Sequence, residues 1–144
     1  MNQTESRIPY PLTDKSEIRR RLNIDREWSL YALADLDDGM FERCRWWALD
    51  DSLALVFDAL EIRPIFVLGD AESTRELLAL LPVSAGYLNL KPYQMEAAEG
   101  IYRYRDVHQM QRMFLEGLKL PAGMAEPIGP RDLEQVERLY ASGD

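Results

Sequence analysis

At 144 residues, with 47% apolar and 29% charged residues, the chain has the length and composition of one ordinary globular domain with a single sizeable core. Its net charge of −8 argues against a nucleic-acid partner, because phosphate affinity rests on Lys and Arg. One cysteine excludes an internal disulfide, no apolar run approaches the ~20 residues of a bilayer span, and MNQTESRIPYPL has no apolar leader segment. These features predict a cytoplasmic chain with no membrane partner.

Residues 1–12 read as an irregular lead-in punctuated by Pro9 and Pro11. Asp14 with Glu17 three residues on has the spacing of a helix N-terminus, and Ile18 and Leu22 supply the buried side of a short helix. The basic run Arg19-Arg20-Arg21 reads as a solvated helix face, since acidic residues interleave with it. A second helix is predicted over Asp25 to Leu36. Its inner stripe is Leu30, Leu33 and Ala34, with Trp28 and Tyr31 beside them and Gly39 closing it in the left-handed region.

Phe41 to Leu68 reads as three consecutive strands. Cys44, Trp46 and Ala48 alternate with Arg43, Arg45 and Trp47; Leu53, Leu55 and Phe57 alternate with Ala54, Val56 and Asp58. Asp50-Asp51-Ser52 between them is turn chemistry. Pro64 belongs at the start of the third strand, and the run Ile65-Phe66-Val67-Leu68, with no polar face, predicts a central strand covered on both sides.

Gly69-Asp70 then makes a strand-to-helix turn, Asp70 capping a helix whose inner residues are Leu77, Leu78 and Leu81 and which Pro82 ends. Gly86 to Leu90 is a short strand. Lys91-Pro92 opens another helix, with Met95, Ala98 and Tyr102 inward. Asp106 to Glu116 fits both periods: Val107, Met110 and Phe114 suit a helix, Met113 and Leu115 a strand. Residues 117–130, with three prolines and three glycines, read as a linker, and Pro130 to Tyr140 as an amphipathic helix with Leu133, Val136 and Tyr140 on one side.

Residues able to carry chemistry are few. His108 is the only histidine, so a histidine-based metal site lacks partners, and it reads as a packed or edge-strand residue ahead of a general base. Cys44 sits between Arg43 and Arg45, but neighbours along a strand point to the opposite face, so an inert core cysteine is favoured. Asp37-Asp38 and Asp50-Asp51 do not continue as calcium loops and read as turns. At Gly69-Asp70 a phosphate site is opposed by the aspartate itself. No catalytic, cofactor-binding or metal residue emerges.

Several phrases resemble the N-terminal half of tandem GNAT-superfamily proteins, the acetyl-CoA-dependent N-acetyltransferases: WSLYALADL at 28–36 running into Asp37-Asp38-Gly39-Met40-Phe41, Cys44-Arg45-Trp46-Trp47, Phe66-Val67-Leu68-Gly69-Asp70 and Gln111-Arg112-Met113. PIGPRDLEQVERLY at 127–140 resembles the first strand and helix of the second, catalytic GNAT domain. The resemblance implies an α/β (α+β) fold, a mixed, mostly antiparallel sheet of about six strands flanked by helices, and favours a strand over 106–116. It also implies a GNAT-like domain over 1–116, a linker over 117–130 and the start of a catalytic domain over 131–144.

The family's acetyl-CoA motif R/Q-x-x-G-x-G/A is absent, so acetyl-CoA belongs to the full-length protein and none of its ligands is assigned to this chain. The leading expectation is an accessory, non-catalytic domain packing on a catalytic GNAT partner. The alternative is a stand-alone interaction or dimerisation module, and a small enzyme of other chemistry ranks last. The terminal helix, too short for stability alone, is expected to dock on another surface, preferably a second copy.

Overall fold

The structure, a computed structural model, describes residues 7–113, 117, 123 and 126–143. The chain divides into two compact units, Met1–Val107 and His108–Asp144.

The first unit is an α+β fold on one five-stranded sheet. The strands, in chain order, are β1 Tyr10–Pro11, β2 Cys44–Leu49, β3 Ser52–Phe57, β4 Arg63–Leu68 and β5 Gly86–Asn89, and the same order holds across the sheet. The β1–β4 neighbours pair antiparallel, while β4 and β5 are parallel. Antiparallel neighbours need only short turns, and Leu49 faces Ser52 across the Asp50-Asp51 connection. Asp50 takes a φ of 49°, a left-handed conformation that a short polar side chain tolerates. The parallel step needs a crossover, which is α3, Ala71–Leu80.

The sheet has two apolar faces. On one, Trp46, Ala48, Leu53, Leu55, Phe66 and Leu68 pack with Ile18 and Leu22 of α1 (Lys15–Leu22) and with Ala32 of α2 (Leu30–Ala34) and Leu36 just after it. On the other, Leu49, Ala54, Val56, Ile65 and Val67 pack with Leu77 and Leu78 of α3, with Leu81 and Val83 beyond it, and with Ala98 of α4 (Met95–Glu99). The run 65–68 is therefore covered on both sides, as its lack of a polar face predicts. Asp14 caps α1 by accepting from the Ser16 and Glu17 amides, and Gly39 lies at φ 85°.

The structure corrects several expectations. The second helix is shorter than Asp25–Leu36: Asn23–Asp25 is a 3-10 turn, and α2 begins at Leu30. Its inner residues are Ser29, Ala32, the half-buried Leu33 and Leu36, while Leu30, Tyr31 and Ala34 face outward. Just ahead of the helix the Trp28 ring stacks on Phe66 at 5.5 Å, and Ala32 and Leu36 join the same core face.

Among the described residues the sheet has five strands rather than about six, and residues 106–113 form none; residues 114–116 of that expectation lie outside the described residues. Neither alternation supplies a face to bury. One carries Val107, Gln109, Gln111 and Met113, the other Asp106, His108, Met110 and Arg112. Accordingly His108 is neither packed nor in a strand, but exposed.

Half of the 117–130 linker, residues 118–122, 124 and 125, lies outside the described residues. In the second unit, a 3-10 turn at Pro130–Asp132 leads into α5, Leu133–Ala141. Val136 is half-buried, and Leu133, Leu139 and Tyr140 are exposed.

Candidate functional site

In open sheets, ligands gather beyond the carboxyl ends of parallel strands, where the chain turns into helices. Here that place is the end of β4 and β5. Their last paired residues are Phe66 and Asn89. β4 runs two residues further before Gly69 turns it into α3, and β5 leaves through Leu90 and Lys91 into the 3-10 turn Pro92–Gln94 ahead of α4. The two strands thus part with backbone acceptors at the fork.

Side chains of the chain itself occupy that fork. The indole Nε1–H of Trp28 donates to the Val67 carbonyl at 3.0 Å. The Lys91 ammonium lies 5.6 Å from the Trp28 ring and contacts the Asp25 carboxylate, which also accepts the Trp28 amide at 3.1 Å. The Gly69 carbonyl accepts from the Tyr93 hydroxyl at 3.0 Å and from Gln94 Nε2 at 3.1 Å.

Gln94 is fully buried, and its amide spends both ends. Nε2 also donates to Thr74 Oγ1 at 2.9 Å, and Oε1 accepts the Lys91 amide at 2.8 Å. Thr74 in turn donates to the Asp70 carbonyl at 2.6 Å.

The start of α3 is closed in the same way. Asp70 Oδ1 accepts the Ser73 amide at 2.7 Å, and that bond, above all, holds the Asp70 carboxyl below its ordinary pKa. The carboxylate therefore takes the place an external anion would need. Gly69 is explained by packing: a Cβ there would lie 2.4 Å from Ser52 Oγ. With acceptors and helix end satisfied internally, this end of the sheet is built as a clasp.

A second polar cluster surrounds the β2–β3 turn, and sequence reading missed its centre. Arg21 is buried, not part of a solvated face. Its guanidinium donates to the Asp50 carbonyl, to the Ser52 carbonyl at 3.2 Å, to the Tyr10 hydroxyl at 3.1 Å and to Glu17 at 2.9 Å. Arg19 and Arg20 are exposed, as expected. Arg20 forks onto Glu17 at 2.7 and 2.8 Å, and with Arg21 it holds the Glu17 carboxyl down at about 2. Arg7 adds Nε to Asp50 at 2.6 Å and Nη2 to Ser73 Oγ at 2.9 Å, tying the segment ahead of β1 to the β2–β3 turn and to α3. The work of this cluster is cross-bracing.

The remaining candidates do not converge. Cys44 is half-buried, with its thiol against the Met40 carbonyl at 3.3 Å. Burial, then the Asp35 and Asp58 carboxylates, push its pKa up to about 12, so it is a poor nucleophile. Asp37-Asp38 and Asp50-Asp51 lie in turns, with Asp38 paired to Lys15 at 2.8 Å. Among the described residues, no group of three or more His, Cys, Asp or Glu could hold a metal ion.

A surface depression of about 530 Å³ is lined by Glu99, Ile101, Tyr102, Arg103 and Tyr104. Both of its phenols are committed, Tyr102 to the Val83 carbonyl at 2.8 Å and Tyr104 to the Met95 carbonyl at 2.6 Å. No described helix is long and apolar enough to cross a membrane.

The chain matches no protein-family model, no curated protein and no solved structure.

Proposed function

We propose that this chain is an accessory, non-catalytic domain of a GNAT-superfamily N-acetyltransferase, with acyl transfer from acetyl-CoA to an amine carried by another part of the full-length protein. The order of elements supports the reading: an edge strand, two short helices, three antiparallel strands, then helix, parallel strand and helix. The non-catalytic assignment rests on one observation. The carbonyls at the fork beyond β4 and β5 are taken by Trp28, Gln94 and Tyr93, and at the α3 N-terminus the Asp70 carboxylate takes the Ser73 amide where a pyrophosphate would need it.

Calorimetric titration with acetyl-CoA and CoA is expected to give no saturable heat; a micromolar complex overturns the non-catalytic assignment. The accessory role is tested on the coding sequence beyond Asp144. It predicts R/Q-x-x-G-x-G in frame within about a hundred residues, the span of one further domain. A stop codon in place of that continuation overturns it, in favour of a stand-alone interaction or dimerisation module. The exposed Leu133, Leu139 and Tyr140 of α5 are what favours that second reading.

A further inference from the structure

At the end of the sheet away from the fork, the β3–β4 connection, residues 58–62, has an unusual composition for a turn. It reads Asp-Ala-Leu-Glu-Ile, with none of the glycine, proline or asparagine that tight connections favour. Neither core uses its two large aliphatic side chains: Leu60 is 54% exposed and Ile62 49%. The base of the connection is fixed, since the Asp58 amide donates to the Arg43 carbonyl at 2.8 Å.

Arginines gather at that base. The Asp58 carboxylate accepts from Arg45 Nε, accepts from Arg45 Nη2 at 2.8 Å, and lies 2.9 Å from Arg63 Nε. One carboxylate thus serves two guanidiniums, and the buried Arg63 Nε finds no aligned hydrogen-bond acceptor. The two side chains remain 38% and 43% exposed. Arg43, closing the 3-10 turn ahead of β2, is exposed and forms no ion pair among the described residues. Glu42 and Glu61, the next carboxylates along the chain, pair with none of the three among those residues. Guanidinium N–H groups therefore face solvent beside an apolar tip, in the planar fork that fits a carboxylate.

We propose that this end of the sheet docks an acidic peptide segment of another protein, its carboxylates on Arg43 and Arg63 and its aliphatic side chains on Leu60 and Ile62. Charge and composition select this occupant, since clustered arginines are what reads acidic motifs. A second copy, related by a two-fold axis, would set the same arginines against themselves. Nucleic acid would use the arginines but leave the aliphatic tip uncovered. An anionic membrane could take both, but inserting the tip would desolvate Glu61, which stands between Leu60 and Ile62. A peptide lying alongside leaves Glu61 in water. With its base already pinned, the tip loses little freedom on binding. The inference stands independently of the acyltransferase reading.

The probe is a fluorescein-labelled peptide of repeated Leu-Glu-Leu-Asp, with a counterpart carrying lysine at every acidic position as control. Binding to the full chain is followed by anisotropy and mapped by backbone amide shifts, and phosphatidylserine vesicles are tested by co-sedimentation. The acidic peptide is expected to bind saturably, with shifts centred on residues 43–45 and 58–63 and affinity falling as salt rises. The double variant Leu60→Ser/Ile62→Ser is expected to lose about tenfold or more in affinity, and Arg43→Gln about threefold. All three side chains are exposed, so unchanged melting temperatures act as the folding check. The proposal is overturned by no saturable binding, by shifts centred elsewhere or by equal binding of the lysine peptide. Vesicle binding without peptide binding, or unchanged affinity in either variant, overturns it equally.

Discussion

Replacing Arg21 by alanine tests whether the buried guanidinium braces the β2–β3 turn. The side chain is 7% exposed and meets four partners, two of them backbone carbonyls of the turn. Asp50 is exposed, so water can replace the donor at its carbonyl, and Glu17 keeps Arg20. Ser52 is buried, and its carbonyl is left without the charged donor. An acceptor stranded in this way costs about 1–3 kcal/mol, and the lost charge-assisted bonds and packing raise the sum to about 3 kcal/mol. At about 4 °C per kcal/mol for a unit of this size, the melting temperature should fall by about 12 °C.

Urea unfolding followed by tryptophan fluorescence measures the difference, with Arg19→Ala, an exposed neighbour, expected to stay within about 0.5 kcal/mol. Arg21→Lys should recover only part of the loss, because one ammonium cannot reach both the turn and Tyr10. If Arg21→Ala costs less than about 1 kcal/mol, or no more than Arg19→Ala, the brace is not what holds the turn.

Acid should weaken the fold. Glu17, held at about 2 chiefly by Arg20, and Asp58, Asp70 and Asp38, lowered by Arg45, the Ser73 amide and Lys15, stabilise the folded state above the ordinary carboxylate range. That contribution is lost as pH falls from about 5 towards 2. Asp35, raised by burial, acts in the opposite sense but is one group against four. The urea midpoint should therefore be level near neutrality and drop in that window, less steeply for Glu17→Gln; a midpoint that climbs on acidification contradicts the assignment. For Cys44, alkylation by iodoacetamide at about pH 8 should be about a hundredfold or more slower in the folded chain than in urea, because thiolate, not thiol, reacts. Equal rates in the two conditions would show that its thiol is neither buried nor raised.

What could be read from the sequence is local. Asp14 and Asp70 cap helices through amides two and three residues away, and the two faces of 44–68 follow from simple alternation. What could not be read depends on distant partners. Arg21 is defined by carbonyls 29 and 31 residues on, and a basic triplet looks the same whether one member is buried or none. Trp28, just ahead of α2, meets a carbonyl 39 residues away. Gln94 anchors the clasp through contacts 20 and 25 residues back, its only local sign being the spacing to Lys91. The strand expected at 106–116 rested on resemblance against an even periodicity, and over 106–113 neither alternation was apolar.

The double-faced sheet also bears on how such a chain can diverge. Every residue of β3 from Ser52 to Val56 is buried, with successive side chains committed to different cores. That strand offers no solvent-facing position where a polar replacement would be neutral, and an inserted residue would exchange the two sets. Neutral drift is left to surfaces such as the outer row of α3. Distant descendants of this sequence would thus keep 52–56 as a short conserved island among freely varying helices, and an alignment anchored there would find kinship that overall identity had lost.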